Sequence, residues 1–108
     1  MKSKRSKACD ISEKVKQAVY ERDNGLCVIT SRPGLPNAHF IPRSDGGLGI
    51  EENVITLAPD IHAAYDNGYH KDINLREYYG GLIEEYLKSK YPNWDKSKLY
   101  YSRWENVK

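Results

Sequence analysis

Apolar positions recur at helical spacing over Ile11–Arg22, where Ile11, Val15, Ala18 and Val19 share one face. Ser12 suits the N-cap of that helix, and Asn24-Gly25 is a stop signal. The period then changes. Leu26–Thr30 (LCVIT) is dense in β-branched residues and reads as a short strand. Ser31–Pro36 (SRPGLP) carries two prolines and a glycine and reads as a turn. Asn37–Ile41 (NAHFI) reads as the returning strand. The pattern predicts a β-hairpin with His39 on its second strand.

Pro42–Gly49 (PRSDGGLG) is a glycine-rich loop, and Ile50–Leu57 (IEENVITL) is extended or irregular. Pro59–Asp66 reads as a short helix, with Pro59 tolerated in its first turn and Asn67-Gly68 ending it. Asn74–Lys90 is a longer helix. Leu75, Tyr78, Tyr79, Leu82, Tyr86 and Leu87 are available for its buried face. Gly80-Gly81 weakens its middle by about 1 kcal/mol per glycine relative to alanine, or permits close packing. Pro92 ends it. Trp94–Trp104 is aromatic and basic, a small helix or strand that closes the domain. No internal repeat or low-complexity tract interrupts the chain.

The 108 residues allow one small domain. Charged residues make up 30% of the chain and mean hydropathy is −0.78. No apolar run approaches the roughly 20 residues of a membrane helix. The basic N-terminus lacks the apolar stretch of a signal peptide. Cys9 and Cys27 make no disulfide framework. A soluble, reduced protein of the cytoplasm is the expectation. Nine Tyr and two Trp stand against one Phe, which points to half-buried rings or contact surfaces.

Charge is unevenly spread. Residues 1–22 carry seven basic and three acidic side chains, and residues 88–108 carry six and two. Residues 23–87 carry four basic and ten acidic. Basic ends suit a polyanion such as nucleic acid, and an acidic middle with histidines suits a cation. Met1–Lys7 (MKSKRSK) reads as a polar arm, so residues 1–10 are expected to be flexible and residues 11–108 to form the domain.

Three polar residues fall on the hairpin, loop and short helix: His39, Asn53 and His62. His62 and Asp66 are four apart, on one face of a helix. They form either an ordinary side-chain hydrogen bond or a mixed nitrogen–oxygen pair for Mg²⁺, Mn²⁺, Zn²⁺ or Ni²⁺.

The run Cys27-Val-Ile-Thr, then Asn37-Ala-His-Phe-Ile-Pro-Arg-Ser-Asp-Gly-Gly, then Glu52-Asn-Val-Ile-Thr-Leu-Ala-Pro-Asp-Ile-His62 resembles the HNH endonuclease family. It is most similar to the small nucleases of bacteriophages and prophages. The resemblance spans roughly residues 15–70. It implies an α+β fold with a ββα-metal (His-Me finger) core over about 26–68. An N-terminal helix and a C-terminal helical, aromatic-rich extension over 74–108 would flank that core. It implies a DNA phosphodiester hydrolase of low sequence specificity that uses one divalent ion. It also implies DNA as partner, with phage terminase or packaging proteins beside it, in a monomer or weak dimer. Carried over, His39 is the general base, Asn53 orients His39 or fixes the loop, and His62 holds the metal with Asp66.

Two features depart from the family. The residue before His39, often a metal ligand, is Ala38, so Asp66, Asn37 or another group must supply the missing ligand. The positions of a Cys₄ zinc site are Cys27, Thr30, Ala58 and Ile61, which excludes that site. A mini-core of Cys27, Ile29, Ala58 and Ile61 is expected in its place, with the aromatic C-terminus packed on the motif. Arg43, Lys14 and Lys16 are candidates for DNA phosphate. For Arg43 the alternative is an ion pair with Asp45 or Glu51, and for Lys14, Lys16 and Arg22 a solvated helix face. Tyr100, Tyr101 and Trp104 stack on bases or pack on the long helix, and His70 reads as a surface residue. The departures also motivate a second class of function: an inactive DNA-binding or protein-interaction module on a degenerate scaffold. A third is a metal-stabilised adaptor.

Overall fold

The computed structural model describes residues 3–68 and 73–102. Its elements are α1 (Lys4–Cys9), α2 (Glu13–Arg22), β1 (Leu35–His39), β2 (Val54–Leu57), α3 (Pro59–Gly68) and α4 (Ile73–Lys90). The architecture is α+β, around a two-stranded antiparallel sheet.

Helix α2 begins where its cap dictates: Ser12 Oγ accepts the Val15 N–H. The expected flexible arm is instead α1. Ser3 caps it, and its last residue, Cys9, is 1% exposed. The Gly49 N–H donates to the Ala8 carbonyl, which ties α1 to the glycine-rich loop.

The hairpin has a different first partner from the one expected. Leu26–Thr30 is not a strand. Asn24, Gly25 and Ser31 sit in the left-handed region, at φ of 57°, 67° and 63°, and coil the segment into tight turns. β1 pairs instead with β2, in the register Ala38 to Ile55 and His39 to Val54. His39 therefore ends the first strand of the pair, and the chain order is strand, loop, strand, helix. Alternation along β1 buries Ala38 and turns His39 toward the other side. All four residues of β2 are buried, because α2 covers one face and the main core the other.

That core gathers Cys27, Ala38, Phe40, Ile41, Ile55, Leu57, Ala58, Ile61, Tyr65, Ile83, Leu87 and Leu99, with Ile29 packed against it. The expected mini-core around Cys27 is thus part of one continuous core. On α4 the buried residues are Ile83 and Leu87, whereas Tyr78 and Leu82 face outward. The Gly80-Gly81 pair serves no close approach. A Cβ on Gly80 would meet Tyr65 at an ordinary 3.7 Å, and one on Gly81 meets nothing within 4 Å.

The C-terminal segment packs on the motif. The Trp94 ring lies 5.9 Å from Phe40, and Trp94 Nε1 donates to the Glu52 carbonyl. The Leu48 N–H donates to Leu99 O and the Tyr101 N–H to Gly46 O, fastening the loop from outside.

A buried ion pair joins α2 to the rest. Arg22 is not on a solvated face; its guanidinium forks onto Asp23 at 2.7 and 3.0 Å and donates to Val54 O at 2.8 Å. Asp23 also accepts from the Thr56 N–H and the Tyr86 hydroxyl. Burial first, and the bond to Asp23 second, push the Tyr86 hydroxyl up to about 12.

Candidate active site

The β1–β2 ladder, the loop between the strands and α3 bring four of the sequence candidates to one cleft. His39, Arg43, His62 and Asp66 line it, with Pro42, Ser44 and Arg76, around about 250 Å³. His39 stands at the end of β1. His62 and Asp66 come from α3, which Pro59 opens directly after β2.

His39 is anchored through one ring nitrogen. Its Nε2 lies 2.8 Å from the Cys9 carbonyl oxygen. A carbonyl only accepts, so Nε2 carries the proton and Nδ1 keeps the ring's lone pair. Burial lowers the His39 pKa below its usual 6.5, and the nearby Arg43 charge acts in the same direction. The bond to Cys9 and the Asp66 carboxylate oppose the shift without cancelling it. The imidazole is therefore neutral at physiological pH, the state a general base needs.

His62 and Asp66 form the pair that their spacing allowed. His62 Nε2 lies 3.1 Å from Asp66 Oδ2. An imidazole nitrogen and a carboxylate oxygen are donor types that suit a borderline divalent ion, and here the two are paired with each other. No group of three or more His, Cys, Asp or Glu side chains gathers for a metal among the described residues. Ala38 is wholly buried in the core, so no ligand comes from that position, and Asn37 does not line the cleft. His70 and Trp104 lie outside the described residues.

Asn53 does not line the cleft, and its side-chain hydrogen bonds go elsewhere than to His39. Its side chain is fully buried. Oδ1 accepts the Ile41 N–H at 2.7 Å, and Nδ2 donates to Ile41 O at 3.2 Å and Leu48 O at 2.8 Å. Of the two roles open to it from the sequence, it takes the second: it clamps both ends of the loop that carries Arg43 and Ser44. Two glycines let that loop fold tightly. A Cβ on Gly47 would sit 1.8 Å from Ile41 O, and one on Gly49 2.0 Å from Asp10 O.

Arg43 pairs with neither Asp45 nor Glu51. Its Nη1 meets the Asp10 carboxylate, and its Nη2 donates to Ser6 Oγ at 2.8 Å. Lys14 and Lys16 lie on α2 outside the cleft; Lys16 pairs with Glu13 at 3.3 Å. Sequence reading missed Arg76, which lies 4.3 Å over the Tyr65 ring and donates to the Tyr65 carbonyl at 2.9 Å. It also missed the Cys9 carbonyl. A backbone atom carries no sequence signal, and Arg76 stood on a helix with no motif around it.

Cys27 is buried near the opposite end of β2. Burial raises its pKa, yet hydrogen bonds from the Thr30 hydroxyl and the N–H groups of Ala58, Thr30 and Ile29 hold it below the usual thiol value.

No family model, no curated protein and no solved structure matches this chain. No helix among the described residues is long and apolar enough to cross a membrane.

Proposed function

We propose that the protein is a small metal-dependent DNA endonuclease with a ββα-metal core of the HNH type. One observation carries the reading. A neutral histidine with a fixed tautomer shares a cleft with a His–Asp pair of metal-ligand donor types and with two arginines. The motif wording around His39, Asn53 and His62 supports it independently.

In this reading the Arg43 and Arg76 charges draw a phosphodiester into the cleft. His39 Nδ1 takes a proton from the attacking water as its oxygen bonds to phosphorus. The bond from phosphorus to the 3′ oxygen breaks. Cys9 O holds the ring throughout and stabilises the imidazolium that forms. A divalent ion on His62 and Asp66 would neutralise charge building on the phosphate and leaving oxygen. With two protein ligands, most coordination positions are left to water and phosphate. Contacts from so small a cleft go to phosphate and sugar, which predicts low sequence specificity. Phage packaging proteins as partners, and a cytoplasmic setting in a bacterial host, follow from the resemblance alone.

The burial of Ala38 favours a second reading, a DNA-binding module whose metal affinity has been lost. A supercoiled-plasmid assay separates the two. Wild type is expected to nick with Mg²⁺, Mn²⁺, Ni²⁺ or Zn²⁺ and not in EDTA, and His39→Ala is expected to lose nicking. Full nicking by folded His39→Ala would overturn the role of His39. No nicking by folded wild type with any metal would favour the module.

A further inference from the structure

A second cleft of about 200 Å³ adjoins the first, lined by Ser3, Arg5, Ser6, Cys9 and Arg43. Arg43 is the wall between them. A hydrogen bond links them as well, because Arg5 Nη2 donates at 3.0 Å to the carbonyl of Ser44, which lines the first cleft. The lining brings together two guanidinium groups and two hydroxyls, and includes no carboxylate. Asp10 pairs with Arg43 from outside and offsets part of its charge, so Arg5 is the principal cation. Among the described residues Arg5 makes that one hydrogen bond to protein, and its planar fork matches phosphate oxygens.

Another groove shares Pro42 and Arg76 with the first cleft and is electrostatically different, because Asp45, Glu77 and Glu84 there accompany Arg76 and Lys96. A polyanion in the first cleft meets three carboxylates in that groove and none in the Arg5 cleft, which favours Arg5.

We propose that the Arg5–Arg43 cleft is a second phosphate subsite, which holds the DNA backbone phosphate next to the one at His39 and His62. The subsite deepens the nuclease reading and rests on it. It reads charge and not sequence, and Arg5 is a binding residue that does not touch the reacting phosphate.

The test uses the full chain as wild type, Arg5→Gln, Arg5→Lys and Lys88→Gln, each checked for an unchanged melting curve. Fluorescence anisotropy in EDTA follows binding to two short labelled duplexes of unrelated sequence across a salt series. Arg5→Gln is expected to weaken both duplexes roughly tenfold and to make the slope of log K against log salt shallower by about 1. Arg5→Lys should recover most of the affinity, and Lys88→Gln should match wild type. The hydrolysis of bis(p-nitrophenyl) phosphate, which has no neighbouring phosphate, should fall far less in Arg5→Gln than duplex binding does. Wild-type affinity in Arg5→Gln, an equal loss in Lys88→Gln, or an equal loss of small-diester hydrolysis in Arg5→Gln would each overturn the subsite. So would a wild type that binds neither duplex. Arg5-dependent binding by a protein that never nicks would leave the subsite standing and remove the nuclease reading.

Discussion

Two opposing influences act on His39. Burial favours its neutral form, and the Cys9 carbonyl and Asp66 favour the charged one; burial prevails. Nicking that needs neutral His39 should therefore already be on its plateau at neutral pH. It should fall only in acid, below the usual histidine value of about 6.5. A pH–rate profile checks this, and a midpoint above that value would contradict the assigned environment. Stability follows the same sign. The unfolded chain binds the proton more tightly than the folded one, so stability is complete above about 6.5 and declines as pH falls toward the folded value. Asp23 is the other residue with large consequences. Its side chain is 0% exposed and holds Arg22, Tyr86 and the Thr56 N–H at once. Asp23→Ala leaves a buried guanidinium uncompensated and is expected to cost about 3–5 kcal/mol in a denaturant titration. Thr56 Oγ1 is buried with no hydrogen-bond partner among the described residues, so Thr56→Val should be neutral or stabilising.

The helices and strands differ in how much they tolerate change. Gly81 lies inside α4, makes no close contact and has no unusual φ. Gly81→Ala is expected to stabilise the protein by about 1 kcal/mol, through helix propensity and a less flexible unfolded chain. A thermal melt reads the gain directly. Gly49 is the opposite case. A Cβ there collides with the Asp10 carbonyl, a backbone atom that moves only if α1 moves. Gly49→Ala should shift α1 and with it the Cys9 anchor on His39, reducing nicking more than it reduces the melting temperature. Strand pairing was the element-level feature that resisted reading. Leu26–Thr30 has strand composition, but left-handed Asn24, Gly25 and Ser31 coil it, and Val28 reaches the sheet through one bond to Thr56 O. Val54–Leu57 has the same composition and no such neighbours, so it takes the ladder.

Across the molecule, the N-terminal segment closes the site although it stands some thirty residues before it in the chain. Cys9 holds His39, Asp10 and Ser6 hold Arg43, and Ala8 holds Gly49. Removing residues 1–10 should leave the β1–β2 sheet and α2–α4 folded, since Cys9 is outside the main core cluster. It should nevertheless abolish efficient nicking, because His39 loses its tautomer lock and Arg43 its anchors. Circular dichroism and the plasmid assay, run on one preparation, separate the two effects.

Local patterns determined α2, α3 and α4, because caps, breakers and 3.6-residue periodicity act over a few residues: Ser12, Asn24-Gly25, Pro59 and Pro92 mark their ends. They also put His62 and Asp66 on one face, since a helix fixes that spacing by itself. The α+β class was what the resemblance of the motif wording implied. Tertiary structure alone decided which strand joined β1, because a ladder forms between segments that are distant in the chain. It decided that Arg22 is buried, that Asn53 clamps a loop, and that a backbone carbonyl at Cys9 sets the proton on His39. Each of these depends on where a distant backbone passes, and no side-chain identity encodes that locally.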